Sequence, residues 1–190
     1  MYFASTQAAE GFPRRAFTVA EIRRMIDAEI IAEDEPFELV EGDLVARFPK
    51  GNDHEIIKSE LSYLFVLGTT DDVRVAVATT VYLDQWTFLE ADLCLYHRGI
   101  LPEEVKGTDV LLAIEVAEAS LGYDRGLKAR IYAKHGVREL WVVDAKTRET
   151  WVYLHPQPDG QWGHIKRTPP DSGVSPVALP EIRVRMSGLR

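Results

Sequence analysis

The chain has 190 residues, and its 30 Asp and Glu side chains outnumber its 22 Lys and Arg side chains, which leaves a net charge of −8 at pH 7. A hydrophobic content of 46% is enough for a folded core and excludes a mostly disordered chain. The acidic balance argues against a simple electrostatic nucleic-acid binder, but the charge is uneven. Residues 1–120 carry 23 acidic and 10 basic side chains, whereas residues 121–190 carry 7 acidic and 12 basic. This asymmetry is compatible with a charged partner or with ordinary solvated surface.

Cys94 is the only cysteine of the chain, which excludes an intrachain disulfide and a thiolate metal cluster. A single cysteine favours a reducing, cytoplasmic setting. The N-terminus lacks an apolar stretch of signal-peptide length, and no segment approaches the roughly 18 apolar residues of a membrane span. The sequence therefore predicts a soluble cytoplasmic protein with no membrane partner.

Hydrophobic periodicity predicts strands interleaved with helices, and hence an α/β or α+β protein with a mixed sheet. We expect an N-terminal arm over 1–17, one domain over 18–167, and a tail rich in Pro, Gly and Ser over 168–190 that packs on the domain surface. The predicted elements, in chain order, are a helix from Thr18 with Glu21 in a capping box, a hairpin around Glu41-Gly42-Asp43, a helix after Asn52-Asp53, strands over 73–83, 90–96 and 110–117, a helix over 124–135 ended by Gly136, a strand over 138–144, and a β-meander of 150–156 and 161–167.

Glu115 interrupts the apolar run LLAIEVA, which is typical of a strand buried on both faces. Its same-face neighbours Ala113 and Ala117 are small and leave room for an ion or a ligand. A buried carboxylate without a partner costs several kcal/mol, so we expect a cation nearby. A buried salt bridge, or a strand that bends to the surface, would explain the pattern equally well.

Asp92 and Lys128 break their patterns in a similar way. Asp92 lies in the strand ADLCLY, where it is either a site residue or a turn residue at the strand start. Lys128 falls inside the apolar stripe of the 124–135 helix, where it either points inward or extends its ammonium group to solvent. Two carboxylates on adjacent strands with an inward lysine are what a hydrolytic metal site needs. The carboxylates would hold Mg²⁺, and the lysine would steady a phosphate or a water.

The strings FELVEGDLV, NDHEIIKSEL, EADLCLY, IEVAEAS and YDRGLKARIYAKHGVRELWVVD occur in that order over about residues 18–155. In this order and spacing the chain resembles the Uma-type family of restriction-endonuclease-like proteins, within the PD-(D/E)xK nuclease superfamily. The resemblance implies a restriction-endonuclease-like fold and an Mg²⁺- or Mn²⁺-dependent endonuclease acting on DNA. It implies Asp92 and Glu115 as catalytic metal ligands and Lys128 as the catalytic lysine. Further family positions match Glu38, on the first strand, and His54, which opens the second helix.

The chain departs from the superfamily pattern at three places. Ala117 stands where a lysine would follow the glutamate by two residues, so the helix would supply that lysine. Ala91 replaces the proline before the aspartate, and the short polar stretch after the glutamate is Glu118-Ala119-Ser120. Glu118 either adds a carboxylate near the site or faces solvent, and we favour the solvent-facing position.

Other residues are candidates for secondary roles. Glu38 is a possible third contact to the metal or to a water. His54 caps its helix, contacts phosphate, or is an ordinary core or surface residue. Arg125 and Arg130 are candidate contacts to the DNA backbone. Tyr132, one turn beyond the lysine, is expected to pack in the core.

Three functions follow from these residues: a metal-dependent DNA endonuclease, a decayed nuclease that binds nucleic acid or a protein partner, and a metal-free carboxylate enzyme acting on a sugar-like substrate. A homodimer is compatible with the first, because a cutter of duplex DNA needs two sites.

Overall fold

The structure is a computed structural model that describes residues 15–190. The N-terminal arm predicted for residues 1–17 lies, up to residue 14, outside the described residues. The described part contains eight strands in one mixed sheet with helices beside it. The elements are α1 (Val19–Asp27), β1 (Phe37–Val40), β2 (Asp43–Ala46), α2 (Asn52–Gly68), β3 (Val73–Asp84), β4 (Thr87–His97), β5 (Val110–Ala117), α3 (Leu121–Tyr123), a π-helical turn (Asp124–Lys128), α4 (Ala129–Lys134), β6 (Glu139–Asp144), β7 (Thr150–Pro156) and β8 (Trp162–Thr168), with 3-10 turns at Pro102–Glu104, Gly107–Asp109 and Met186–Gly188.

The strand order is β2-β1-β4-β5-β6-β7-β8, with β3 paired to β4 alone. β5 and β6 run parallel, and the other pairs for which a register is defined run antiparallel. The helical segment between β5 and β6 is the crossover that a parallel pair requires. The α/β class with a mixed sheet and a final β-meander is therefore confirmed.

The chain divides into two compact units, residues 15–47 with 83–89 and residues 48–82 with 90–190. In the first unit the predicted capping box begins α1, because the Thr18 hydroxyl accepts from the amide of Glu21 and the Glu21 carboxylate accepts from the amide of Thr18. Gly42, with φ of 91°, closes the predicted β1–β2 hairpin in a conformation that favours glycine. A small apolar cluster around Ile22, Ile31 and Leu39 holds this unit together.

The second unit contains the main core, in which α2 packs its buried side chains against the sheet. Residues Ile57, Leu61 and Phe65 recur at helical spacing and are fully buried, as the sequence predicts. They meet apolar residues of β4, β5 and β6. Trp141, whose ring centroid lies 5.9 Å from that of Phe65, is the largest of the fully buried side chains.

The tail after residue 168 differs from the expected surface packing. It contributes six buried side chains to the main core: Val174, Leu179, Ile182, Val184, Met186 and Leu189. Buried Glu139 accepts a hydrogen bond of 2.7 Å from the amide of Val177, and Arg148 donates to the carbonyls of Met186 and Leu189 at 3.1 and 2.6 Å. The Pro and Gly residues shape the tail's path, while the apolar residues between them stabilise the core.

Candidate active site

Asp92 and Glu115 face each other across the antiparallel pair β4–β5. The register pairs Leu93 with Ile114 and Cys94 with Ala113, and its continuation by one residue places Asp92 opposite Glu115. Directly opposed residues project from the same face of a sheet, with Cβ atoms about 4.5–5.5 Å apart. Both residues are buried, at 4% and 3% exposure. The register therefore places the two buried residues at opposed positions on one face of the sheet.

The Asp92 carboxylate has a separate set of partners on each oxygen. Oδ2 accepts the amide of Val116 at 2.9 Å and lies 3.0 Å from Nε2 of His54. Oδ1 accepts from Nζ of Lys50 at 2.9 Å. These contacts orient the carboxylate fully, and two of the three partners are basic side chains.

The same contacts determine the acidity of Asp92. Burial acts to raise the pKa of this carboxyl, because a charged group loses solvation there. The hydrogen bond and charge of His54, the charge of Lys50 and the amide of Val116 outweigh burial and hold the pKa well below its usual range. Asp92 is therefore an anion at every pH at which the protein would act.

Glu115 is held by two residues of the helical segment that follows β5. Nζ of Lys128 lies 2.9 Å from Oε1 of Glu115 and donates to the carbonyl of Glu90 at 2.9 Å. The hydroxyl of Tyr132 donates to the same Oε1 at 2.6 Å. The Lys128 and Glu115 side chains are only 5% and 4% exposed. The predicted inward lysine thus reaches the predicted carboxylate, and Tyr132, expected only to pack, also binds it.

A π-helical turn over Asp124–Lys128 presents Lys128 to the strand. The helical segment begins at Leu121 rather than at residue 124, where the apolar periodicity first becomes visible. Gly136, with φ of 77°, follows the end of α4 as predicted. A π turn holds one more residue than an α turn and shifts the side chains that follow it, and such turns are common at functional sites. Lys128 is the last residue of this turn.

The start of α2 contacts Glu118, which follows β5, through its backbone, and Asp92 through the His54 ring. His54 is 3% exposed, its amide donates to Oε2 of Glu118 at 3.3 Å, and its ring nitrogen Nδ1 lies 3.0 Å from Glu55. A Cβ atom at Gly51 would lie 2.3 Å from Oε1 of Glu118, so the close approach requires glycine or a shift of that carboxylate. Glu118 thus caps the helix while it stays partly exposed. The predicted phosphate contact by His54 stays a prediction, because its Nε2 is bonded to Asp92.

Arg125 and Arg130, the predicted backbone contacts, both lie exposed on the helical segment. The guanidinium of Arg125 stacks over the ring of Trp151 at 4.0 Å from its centroid. It also bonds the hydroxyl of Tyr153, whose pKa is nonetheless raised because burial dominates. Stacking holds the Arg125 guanidinium in place on the surface, while its role toward DNA stays a prediction.

Two other residues complete the placement of the candidates. Glu38 lies on β1 in the first unit, is 2% exposed and is paired in register with Val45. Its predicted catalytic role stays a prediction. Cys94 is fully buried on β4, and burial, with the nearby charge of Glu115, raises the pKa of its thiol to about 12. A thiol with this pKa is protonated at neutral pH and is a poor nucleophile.

Sequence reasoning missed Lys50 as a member of this cluster. It lies in a loop of alternating turn residues, Pro49-Lys50-Gly51, and its partner is 42 residues away in sequence. No local periodicity marks such a contact. A search for basic residues close to the predicted His54 would have been the available signal.

The donor set fits a hard divalent cation of the Mg²⁺ type. Across residues 15–190 no group of three or more His, Cys, Asp and Glu side chains is arranged to hold a metal ion. Mg²⁺ in proteins is usually held by one or two carboxylates, with water and substrate phosphates completing its shell. The opposed carboxylates of Asp92 and Glu115 would supply two such ligands. A closed protein site of the structural zinc type does not match this set.

Comparison with known families identifies the class of protein. Residues 19–187 match the Uma2 family, described as "Putative restriction endonuclease". The match covers most of the chain, so the protein belongs to this family, as the resemblance in the sequence predicts. The restriction-endonuclease-like fold is likewise confirmed.

One matching solved structure is the crystal structure of a "putative nuclease belonging to DUF820" from Anabaena variabilis. The two chains are 18% identical and superpose with a TM-score of 0.68, over 86% of this chain and 94% of the other. This likeness shows the shared fold. A search of curated proteins gives no match. In the described part of the chain, no helix has the length and apolar character needed to cross a membrane.

Proposed function

We propose that the protein is a divalent-metal-dependent endonuclease that hydrolyses phosphodiester bonds in DNA, with Mg²⁺ or Mn²⁺ as its cofactor. The observation that supports this most strongly is the buried, opposed pair Asp92 and Glu115 with Lys128 bound to Glu115. Two strands and a helical segment bring these three groups together from distant parts of the sequence. Membership of a restriction-endonuclease-like family supports the same chemistry.

In this proposal Asp92 and Glu115 hold the ion. A bound divalent cation would supply Lewis-acid activation of a phosphate oxygen and of the attacking water. Lys128 places a positive charge beside Glu115, where it stabilises negative charge that develops on the substrate. Tyr132 and Lys128 both bind Oε1 of Glu115 and so hold that carboxylate in one orientation.

The remaining predicted residues have supporting roles. Arg125 and Arg130 are exposed on the same helical segment as Lys128 and would contact backbone phosphates, which makes DNA affinity fall as salt rises. His54 orients Asp92 through the contact at Nε2, and a catalytic role for Glu38 rests on the family resemblance alone. A homodimer would present two such sites to duplex DNA. The single cysteine is compatible with the reducing cytoplasm as the place of action.

Cleavage of supercoiled plasmid by the purified protein tests the proposal. We expect cleavage in Mg²⁺ or Mn²⁺ that a chelator abolishes, and a loss of roughly 100-fold or more in Asp92→Asn and Glu115→Gln, because each removes a charged ligand. Asp159→Asn is the matched control, since this carboxylate accepts only a local turn contact from the amide of Gln161. An Asp92→Asn protein that cleaves as well as the parent would contradict the proposal.

A catalytically inactive nuclease-fold module that binds nucleic acid or a protein partner is the second candidate. It is favoured by the two lysines that already neutralise the two carboxylates, and by Ala117 at the expected position of a lysine. Fluorescence anisotropy with labelled duplex DNA separates the two functions. Tight binding without divalent ions, together with no cleavage in Mg²⁺ or Mn²⁺, would favour the module.

A further inference from the structure

The two lysines that neutralise the carboxylate pair differ in how they are held. Lys128 has a 5% exposed side chain, belongs to a helical segment, and bonds both Glu115 and the carbonyl of Glu90. Lys50 has a 31% exposed side chain and lies in the loop directly before α2. Only Lys50 can therefore move its ammonium group into solvent without disturbing packed structure.

The two oxygens of Asp92 differ in the partners that bind them. Oδ2 is held by the buried His54 ring and by the backbone amide of Val116. Oδ1 accepts from Nζ of Lys50 at 2.9 Å. Of the two side chains that bind Asp92, Lys50 is 31% exposed and His54 is 3% exposed, so Lys50 is the one that an incoming cation displaces with less disturbance of packed structure.

A second acceptor keeps Lys50 close when it leaves Asp92. Oε1 of Glu90 lies 3.4 Å from the same Nζ, and the Glu90 side chain is 19% exposed. Lys50 can thus give up its contact with Asp92 while it keeps an ionic partner at the rim. The displacement is then a short movement of the Lys50 side chain. Its contact with Glu90 partly compensates for the lost ion pair with Asp92.

We propose that Lys50 is the exchangeable cation of the site: it occupies Oδ1 of Asp92 in the free protein, and a divalent ion takes its place. The inference rests on the proposed function, because it assigns the residue that regulates metal loading at the same carboxylate. Lys50 is a positioning residue in this role, acting through Asp92. Lys128 is the permanent counter-ion of Glu115 and is not exchanged.

Isothermal titration with Mn²⁺ tests the exchange without any measure of activity. Lys50→Met keeps most of the side-chain length and removes the competing charge. We expect Mn²⁺ to bind Lys50→Met roughly five- to twentyfold more tightly than the parent, as removal of a half-exposed charge in contact with the ligand implies. Lys50→Arg, which keeps the charge, should bind like the parent or more weakly.

Two variants serve as controls. Lys146→Met makes the same change at an exposed turn residue whose contact to Asp144 is made by its backbone amide, and its Mn²⁺ affinity should equal that of the parent. Asp92→Asn in the Lys50→Met background should remove the gain in affinity, which locates the effect at this carboxylate.

The outcomes separate the inference from the proposed function. Unchanged or weaker Mn²⁺ binding by Lys50→Met, or equal tightening in Lys146→Met, would overturn the inference even if the parent cleaves DNA. Tighter binding by Lys50→Met in a protein that cleaves no DNA would support the inference and count against the endonuclease. An absence of Mn²⁺ binding in both the parent and Lys50→Met would overturn both.

Discussion

The surroundings of Asp92 and of Glu115 form two halves of one cluster, and they neutralise the same kind of charge by different means. Glu115 is bound by Lys128 and Tyr132, both buried and both on the helical segment behind the strand. Asp92 has a buried histidine on one oxygen and a half-exposed lysine on the other. The partners of Glu115 are buried, whereas one partner of Asp92, Lys50, has a side chain that is 31% exposed to solvent.

This difference assigns different tasks to the two halves. A buried ion pair is costly to break because one charge is left without a partner in a low-dielectric interior, whereas an exposed pair contributes little. We therefore expect the Glu115 pair to be the costlier one to break, and the Asp92 half to be the place where exchange with ions can occur. Variants that remove one lysine at a time test this division.

The largest expected effect is on the stability of Lys128→Met. This change leaves the Glu115 charge buried without its ammonium partner, and we expect a loss of about 3–5 kcal/mol in the free energy of unfolding. Lys50→Met should lose no more than about 1 kcal/mol, because its pair with Asp92 is partly exposed. Urea unfolding followed by circular dichroism measures both. Equal losses in the two variants would remove the distinction between the halves.

A smaller loss is expected from Tyr132→Phe. The substitution removes the hydroxyl that donates to Oε1 of Glu115 at 2.6 Å and leaves the fully buried ring in place. Hydrogen bonds to charged groups contribute about 1.5–3 kcal/mol, so the loss should lie in that range. Tyr96→Phe, on β4, is the matched control, because its buried hydroxyl has no hydrogen-bond partner among the described residues. A Tyr132→Phe protein as stable as the parent would mean that the lysine alone holds the carboxylate.

A further effect is confined to acid and concerns the Asp92 half. The pKa of Asp92 is lowered in the folded protein, so its ionised form stabilises the fold above the unfolded value of about 3.9, and this contribution is lost as pH falls below that value. The difference in unfolding free energy between the parent and Asp92→Asn should therefore be constant from pH 7 to 5 and shrink below about pH 4. A difference that grows in acid would contradict the lowered pKa.

The sequence predicts those features that leave a local pattern. Glu115 interrupts an apolar run, and the structure has a strand over Val110–Ala117 with that residue buried. Lys128 lies within an apolar stripe and is buried as well. In both cases a charge in an apolar environment implied a partner, and the structure pairs the two residues with each other.

The features that were missed depend on contacts between distant residues or on weak local signals. Lys50 stands in a loop and meets its partner only through the fold. The π turn before α4 follows Leu121-Gly122-Tyr123, a segment in which no apolar periodicity predicts a helix. Strand β4 begins at Thr87 rather than at residue 90, because Asp84-Gln85-Trp86 forms a tight turn that composition alone did not reveal.

The buried tail has a consequence for the order in which the molecule can assemble. A ribosome extends the chain from its N-terminus at roughly 5–20 residues per second, so β4 and β5 emerge several seconds before residues 174–189. The apolar side chains of the core that those tail residues will cover remain exposed to solvent during this interval. Completion of the core, and with it the rigid support behind the carboxylate pair, must therefore wait until residue 189 has been made.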